Sequence, residues 1–287
     1  MKNLGMTYRN RAEVVESELA AYSADTFRSI SPLGSAMAER IARETLVFLR
    51  SLAPALTAEK SLSEPLLLDW IREFQEFKSC EYDRLRLGVA GSTLTGSLLW
   101  LWLFCRLLEP EVYAECGVFV GSSLFTARHA CKVAEIHGFA PNLTNLAFRD
   151  GSIFLHACDW SLEPLGIHGK RALCCFDDHI DCAQRIREAH AMGFRNLIFD
   201  DCPDIGGFHR YRFIGLPTVP LILDQKLADG ESVDWYHPPS KKNLINTFRA
   251  DHVAGVREVI DFATSIPSLE SKFGLVTHEQ WFVRLKS

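Results

Sequence analysis

The chain has 287 residues, 47% hydrophobic and 23% charged, which suffices to bury a sizeable core in one large domain or in a domain with an appendage. Its formal charge of −5 speaks against a broad nucleic-acid footprint, because phosphate recognition needs a basic face. Nine cysteines without any Cys-x-x-Cys spacing predict reduced thiols in a cytoplasmic compartment.

Met1-Lys2-Asn3-Leu4 lacks the apolar core of a signal peptide. From residue 8 to about 80 the signals are helical. Glu13, Glu16 and Glu18 alternate with Val14, Val15, Leu19 and Ala20, and Ser31-Pro32 forms a cap and first-turn pair. That pair opens a periodic run through Met37, Ile41, Leu46, Phe48 and Leu49, and a second amphipathic helix is expected from Pro65 to Phe77. Residues 1–92 are read as a helical cap or dimerisation segment, which makes a homodimer the expected assembly. Leu94 to Leu108 is very apolar, but it is short for a membrane span and contains Arg106. It is expected to be a buried helix.

After Pro110 the pattern changes. Val112 to Ala114 reads as a buried strand, Ser122 to Ile136 as a helix, and Leu143 to Phe148 and Ile153 to Ala157 as strands. Ala172 to Phe176 is a strand, Cys182 to Met192 a helix closed by Gly193, and Asn196 to Phe199 a further strand. Strands alternating with helices predict parallel βαβ units and an α/β, Rossmann-like doubly wound sheet over residues 93–287. Residues 203–240, rich in Gly, Pro and aromatics, form an expected irregular insertion of the kind used as a lid. A long helix is expected from Lys242 to Thr264. Phe273 to Thr277 and Trp281 to Leu285 read as a closing antiparallel hairpin.

Two stretches carry the chemistry. In Glu115-Cys116-Gly117-Val118-Phe119-Val120-Gly121-Ser122-Ser123, a strand ends in an acid, and two glycines frame a tight turn into a helix. Glycine there lets the backbone approach a ligand closely. The spacing departs from the Gly-x-Gly-x-x-Gly of dinucleotide folds, and Glu115 disfavours phosphate while favouring a cationic group or ribose hydroxyls. The second stretch pairs Phe176-Asp177-Asp178-His179 with Phe199-Asp200-Asp201. Carboxylates at two successive strand ends suit a hard divalent cation such as Mg²⁺.

The turn Glu115-x-Gly117-x-x-x-Gly121-Ser122-Ser123 resembles the first motif of class I S-adenosylmethionine-dependent methyltransferases. Asp178-His179 followed by Asp200-Asp201 is similar in type and order to the acidic strand ends of metal-dependent O-methyltransferases of the catechol and macrocin types. The resemblance covers roughly residues 93–201 and the terminal hairpin. It implies the class I methyltransferase fold, S-adenosylmethionine as cofactor, and O-methylation of a small hydroxylated substrate with a metal that acidifies and orients the hydroxyl. It implies Asp178, Asp200 and Asp201 as metal ligands, with Glu115, Gly117, Gly121, Ser122, Ser123, Asp177 and His179 on the cofactor. Asp177 and Asp178 exchange roles if the strand slips by one residue.

Two positions depart from the pattern. Asp181 stands where the catechol type keeps a lysine base, and Asp201 replaces an asparagine. Asp181 is also well placed to cap the helix at Cys182. For the ribose hydroxyls the candidates are Asp150 and Asp159. In the insertion, His209, Arg210, Tyr211, Arg212 and Trp235-Tyr236-His237 offer pocket-lining groups, so Asp178, Asp181 and His209 are the candidate catalytic residues. N-methylation, another transfer from the same cofactor, and a non-catalytic protein of this fold are the rival readings.

Overall fold

The computed structural model describes residues 34–287 apart from 57–60, 86, 89–91, 133, 149, 212–213, 225–227 and 238–240. The helix expected from residue 8 and the Ser31-Pro32 cap lie outside the described residues.

Helix α1 (Ser35–Leu56) buries Ile41, Ala42, Leu46, Leu49 and Leu52 along one stripe. Helix α2 (Glu64–Phe77) starts where Ser63 accepts a hydrogen bond from the Leu66 amide, and it buries Leu67, Trp70, Ile71, Phe74 and Phe77. Both stripes pack towards α3 (Thr95–Leu108), which is apolar all round and almost wholly buried. A helix of that kind needs partners on every side. Phe74 and Phe77 meet Trp102 on one flank, and Phe104 stacks on Phe282 of the sheet at 5.0 Å on another. The described part of the cap therefore shares one continuous core with the sheet. Among the described residues no helix is long and apolar enough to cross a membrane.

The sheet holds β1 (Val112–Cys116), β2 (Glu135–Phe139), β3 (Ile153–His156), β4 (Ala172–Phe176), β5 (Asn196–Phe199), β8 (Ile260–Ser265) and β9 (Trp281–Leu285), in the spatial order β3-β2-β1-β4-β5-β9-β8. The first five are parallel, and β9 runs antiparallel between β5 and β8. This is the expected Rossmann-like doubly wound sheet closed by an antiparallel pair. Helices α4 (Ser122–Ala130) and α5 (Cys182–Met192) follow β1 and β4. The strand order reverses between β1 and β4, the switch point at which open α/β sheets leave a crevice. Tyr113, Leu173, Cys175 and Ile198 face the α3 side, whereas Ala114, Cys174, Phe176 and Phe199 face the α5 side.

Several expected elements differ. The helix expected to Ile136 stops at Ala130, because Cys131 turns extended, and Glu135–Phe139 is the parallel strand β2. The expected strand Leu143 to Phe148 is a loop lying on the glycine turn, with Ala147 donating to the Val120 carbonyl. The expected long helix from Lys242 is instead strand β7 (Lys242–Thr247), one helical turn α7 (Val256–Val259) and β8. The β-branched Ile245 and Thr247 fit a strand better than a helix, and Gly255 at φ 73° interrupts the run. β8, not Phe273 to Thr277, pairs with β9, and α8 (Glu270–Phe273) lies between them. The insertion contains a 3₁₀ segment Ile205–Arg210, helix α6 (Val219–Asp224) and β6 (Ser232–His237), which pairs with β7.

Candidate functional site

The glycine turn is wedged between the ends of β2 and β4. Gly117 donates to the Phe139 carbonyl at 2.9 Å, and Asp177 donates to the Cys116 carbonyl at 2.8 Å. Gly117 has φ 103°, and a Cβ there would lie 2.2 Å from the Asp177 carbonyl oxygen. Only glycine fits that approach and that φ. Gly121, at φ 87°, opens α4, whose first residues Ser122 and Ser123 are buried. A Cβ at Gly121 would meet Phe148 and Leu146 of the covering loop at 2.5 and 2.6 Å.

Glu115 differs from its expected role. It is 1% exposed, and its two oxygens accept hydrogen bonds from the Tyr113 and Ser123 hydroxyls at 2.8 Å each. Both of its oxygens are engaged in bracing β1 against α4. Burial pushes its carboxyl up to about 7, against the lowering effect of those two hydroxyls.

Asp150 is also corrected. It precedes the edge strand β3, accepts from the Ser152 amide and hydroxyl, and lies 3.6 Å from Arg128 in the last turn of α4. Asp159 caps a short 3₁₀ turn and binds Arg185. β2 ends in Phe139-Ala140-Pro141, and neither of the two ribose candidates, Asp150 and Asp159, directly follows it.

At the end of β4 the two aspartates part company. Alternation carries Asp177 to the α3 side and Asp178 to the α5 side. Asp178 accepts from Arg185 Nε at 2.9 Å and Nη2 at 2.6 Å. Arg185, 1% exposed, also binds Asp159 and Glu188. Asp178 is thus engaged by Arg185 and stands outside the acid–histidine groups. Asp177 instead forms one group with His179 and Asp201 whose donor atoms all lie within 4.8 Å, and Asp200, Asp201 and His278 form a second.

His278 enters from the β8–β9 connection. Its amide donates to Ser97 Oγ at 2.9 Å, and the carbonyl of the next residue, Glu279, accepts from the Cys202 amide at 2.8 Å. Its Nδ1 lies 3.3 Å from Asp200 Oδ2 and 3.1 Å from Asp201 Oδ1. Nothing in the local sequence marks this histidine, and only the adjacency of β9 to β5 brings it to the acids. His179 and Asp201 hold φ of 55° and 47°, a region that side-chain-bearing residues avoid and that collects at functional sites.

The electrostatics describe a site short of positive charge. Burial, then Asp200 and Asp201, hold the Asp177 carboxyl well above the usual carboxylate range. Burial also raises Asp201, with His278 opposing and Asp200 adding to the rise. Burial disfavours a charged His278, but Asp201 and Asp200 outweigh it and push the imidazole up to about 10. Asp201 Oδ1 is buried without a hydrogen-bond partner. Three carboxylates, an orphaned oxygen and two imidazoles fit a divalent cation, with Asp177 in the place expected of Asp178.

Asp181 and His209 do not join this cluster. Asp181 caps α5, accepting from the Gln184 amide at 2.6 Å, and lies 3.6 Å from His252. His209 is exposed, its Nδ1 against the Gly206 carbonyl. Tyr211 of that stretch lies close enough to Asp201 to feel its charge. Its hydroxyl donates to Glu279, and burial followed by the charge of Asp201 raises its pKa. Glu279 also binds Arg210 at 2.6 Å. Beside these residues a cleft of about 380 Å³ is walled by Trp281, Glu279, Arg210 and Asp204.

No family model matches the chain, and no curated protein does. Among solved structures, the SAH-bound methyltransferase PaMTH1 of Podospora anserina is 15% identical over 100% of both chains, with a TM-score of 0.41. An O-methyltransferase of Bacillus cereus in complex with SAH is 12% identical, covering 85% of this chain and 99% of that one, with a TM-score of 0.40. The Mg–SAM form of CmcI is 15% identical, covering 65% of this chain and 69% of that one, with a TM-score of 0.39. At these values the likeness assigns no residue a role.

Proposed function

We propose that this chain is an S-adenosylmethionine-dependent O-methyltransferase acting on a small hydroxylated molecule, assisted by a divalent cation at Asp177, Asp200 and Asp201. The observation that carries the reading is the joining of two features at one switch point. The glycine turn after β1 lies directly against Asp177, the first acid of the cluster. A cofactor held on that turn and a substrate held at those acids would be neighbours, and proximity and alignment account for much of a group transfer. Gly117 and Gly121 contribute no side chain of their own to the turn, and the Asp177, Asp200 and Asp201 carboxylates supply oxygen donors. The metal, when bound, would polarise and acidify the substrate hydroxyl. The cleft beside Glu279 and Trp281 suits a small polar substrate, with Tyr211 and Arg210 fixing the Glu279 carboxylate on its wall.

Two observations favour a second reading, a non-catalytic protein of the same fold. β2 ends without a carboxylate, and Leu146 and Phe148 pack on Gly121. Calorimetric titration with S-adenosylhomocysteine, with and without Mg²⁺, separates the two. Micromolar binding is expected, with Asp200→Ala retaining it while losing the metal. Absence of binding in both conditions would leave the non-catalytic reading standing.

A further inference from the structure

Carboxylates alone at two strand ends would serve a hard, oxygen-seeking ion. This cluster has more than that. His278 Nδ1 sits 3.3 Å from Asp200 Oδ2 and 3.1 Å from Asp201 Oδ1. Donors about 2.1 Å from an ion and at right angles to each other lie about 3 Å apart. These separations, which here belong to a hydrogen bond and an ion pair, also match adjacent corners of one coordination shell. Asp201 turns its other oxygen, Oδ2, towards His179 Nδ1 at 4.0 Å, so one carboxylate is shared by two imidazole-bearing groups.

The surroundings hold this arrangement in place. His278 is fixed through its own amide by Ser97 and through the Glu279 carbonyl by Cys202. Asp201 and His179 are held in left-handed backbone conformations that present their side chains to the cluster. His278 Nδ1 is the hydrogen-bond partner of Asp200 Oδ2, so the buried Asp201 Oδ1, 3.1 Å from the same nitrogen, makes no hydrogen bond and keeps its lone pairs for an ion. Carboxylate ligands suit Mg²⁺ and Mn²⁺, and imidazole suits the first-row transition ions. A mixed set is best satisfied where the two preferences overlap.

We infer that the strand-end cluster is a mixed carboxylate–imidazole site selective for a first-row transition ion of the Mn²⁺ or Fe²⁺ kind over Mg²⁺, with His278 as its nitrogen ligand. This rests on the reading of the cluster as a metal site. The probe is Mn²⁺ itself, added to the full chain and followed by pulsed electron paramagnetic resonance, with Mg²⁺ competition by calorimetry.

The expected result is nitrogen modulation from a coordinated imidazole in the wild-type spectrum. His278→Gln should abolish it and His179→Gln should preserve it. Mn²⁺ should bind at least about 10-fold more tightly than Mg²⁺, and His278→Gln should lose about 10- to 100-fold in Mn²⁺ affinity. The wild-type spectrum needs no variant, so misfolding of His278→Gln would not spare the inference. Mn²⁺ bound without nitrogen modulation, modulation that vanishes in His179→Gln instead, or equal affinity for Mg²⁺ would each overturn it. Binding of S-adenosylhomocysteine is measured in the same samples. Cofactor binding without Mn²⁺ binding removes the metal site alone. Mn²⁺ bound through nitrogen without cofactor binding removes the methyltransferase reading and leaves this inference standing.

Discussion

Asp177 and Asp178 are consecutive residues whose carboxylates serve opposite faces of the sheet. Asp177 joins His179 and Asp201, while Asp178 accepts two hydrogen bonds from the buried Arg185. Neutralising each therefore has a different consequence. Asp177→Asn should weaken divalent-ion binding by 10-fold or more, on the order of 1.4 kcal/mol per decade, with little loss of stability, because burial and the neighbouring Asp200 and Asp201 disfavour its charged form. Asp178→Asn should do the reverse, lowering stability while leaving ion affinity nearly unchanged. Calorimetry with a divalent ion and urea unfolding of both variants check the assignment.

Arg185 is the hub of the other face. It is 1% exposed and binds Asp159, Asp178 and Glu188, and Glu188 also accepts from Trp160 Nε1 at 2.7 Å. Replacing both members of a buried ion pair with apolar groups is often tolerated, but removing one leaves charge stranded. Arg185→Met should cost about 3–5 kcal/mol at neutral pH, and the deficit should shrink as the pH falls and the three carboxylates protonate. Urea unfolding at pH 7 and pH 4 measures both. Equal deficits at the two values would mean that the loss arises from packing alone.

The same two aspartates show what the sequence made legible. β1 and β4 are buried on both faces, so their apolar runs carry no alternation to reveal which side a following residue takes. The motif therefore located the acids but not their facing, and Asp178 was expected where Asp177 stands. The glycine turn was readable because positive φ and close approach leave few alternatives to glycine. His278 was not, since its role comes from β9 lying beside β5, a contact between distant parts of the chain. Lys242 to Thr264 misled because its apolar spacing suits helix and strand alike until Gly255 and the pairing of β6 with β7 decide the matter.

The Gly117 contact predicts a sharp difference between two glycines. At Gly117 a Cβ would stand 2.2 Å from the Asp177 carbonyl oxygen and 2.7 Å from the Asp178 amide, on a backbone at φ 103°. At Gly151 it would meet nothing within 4 Å. Gly117→Ala should lose more than about 3 kcal/mol or fail to fold, while Gly151→Ala should change stability by no more than about 0.5 kcal/mol. Thermal unfolding of the two variants is the check, and similar melting temperatures would contradict the wedged turn.

Glu115 gives the fold a pH dependence of its own. Its carboxyl is raised from 4.5 to about 7, by burial above all. The folded state therefore holds this proton more tightly than the unfolded chain does, so its contribution to stability is fully present below pH 4.5 and is lost as pH rises through about 7. The difference between those values, at about 1.4 kcal/mol per pH unit, amounts to about 3 kcal/mol. Glu115→Gln keeps an acceptor for the Tyr113 and Ser123 hydroxyls but does not titrate. With metal removed by chelator, variant and wild type should be about equally stable at pH 4.5. The variant should gain on the wild type by up to about 3 kcal/mol by pH 8. Subtracting the two unfolding curves across that range isolates Glu115 from Asp177 and His278, which titrate in both proteins. A flat difference would mean that Glu115 is ionised in the folded protein throughout, with the two hydroxyls outweighing its burial.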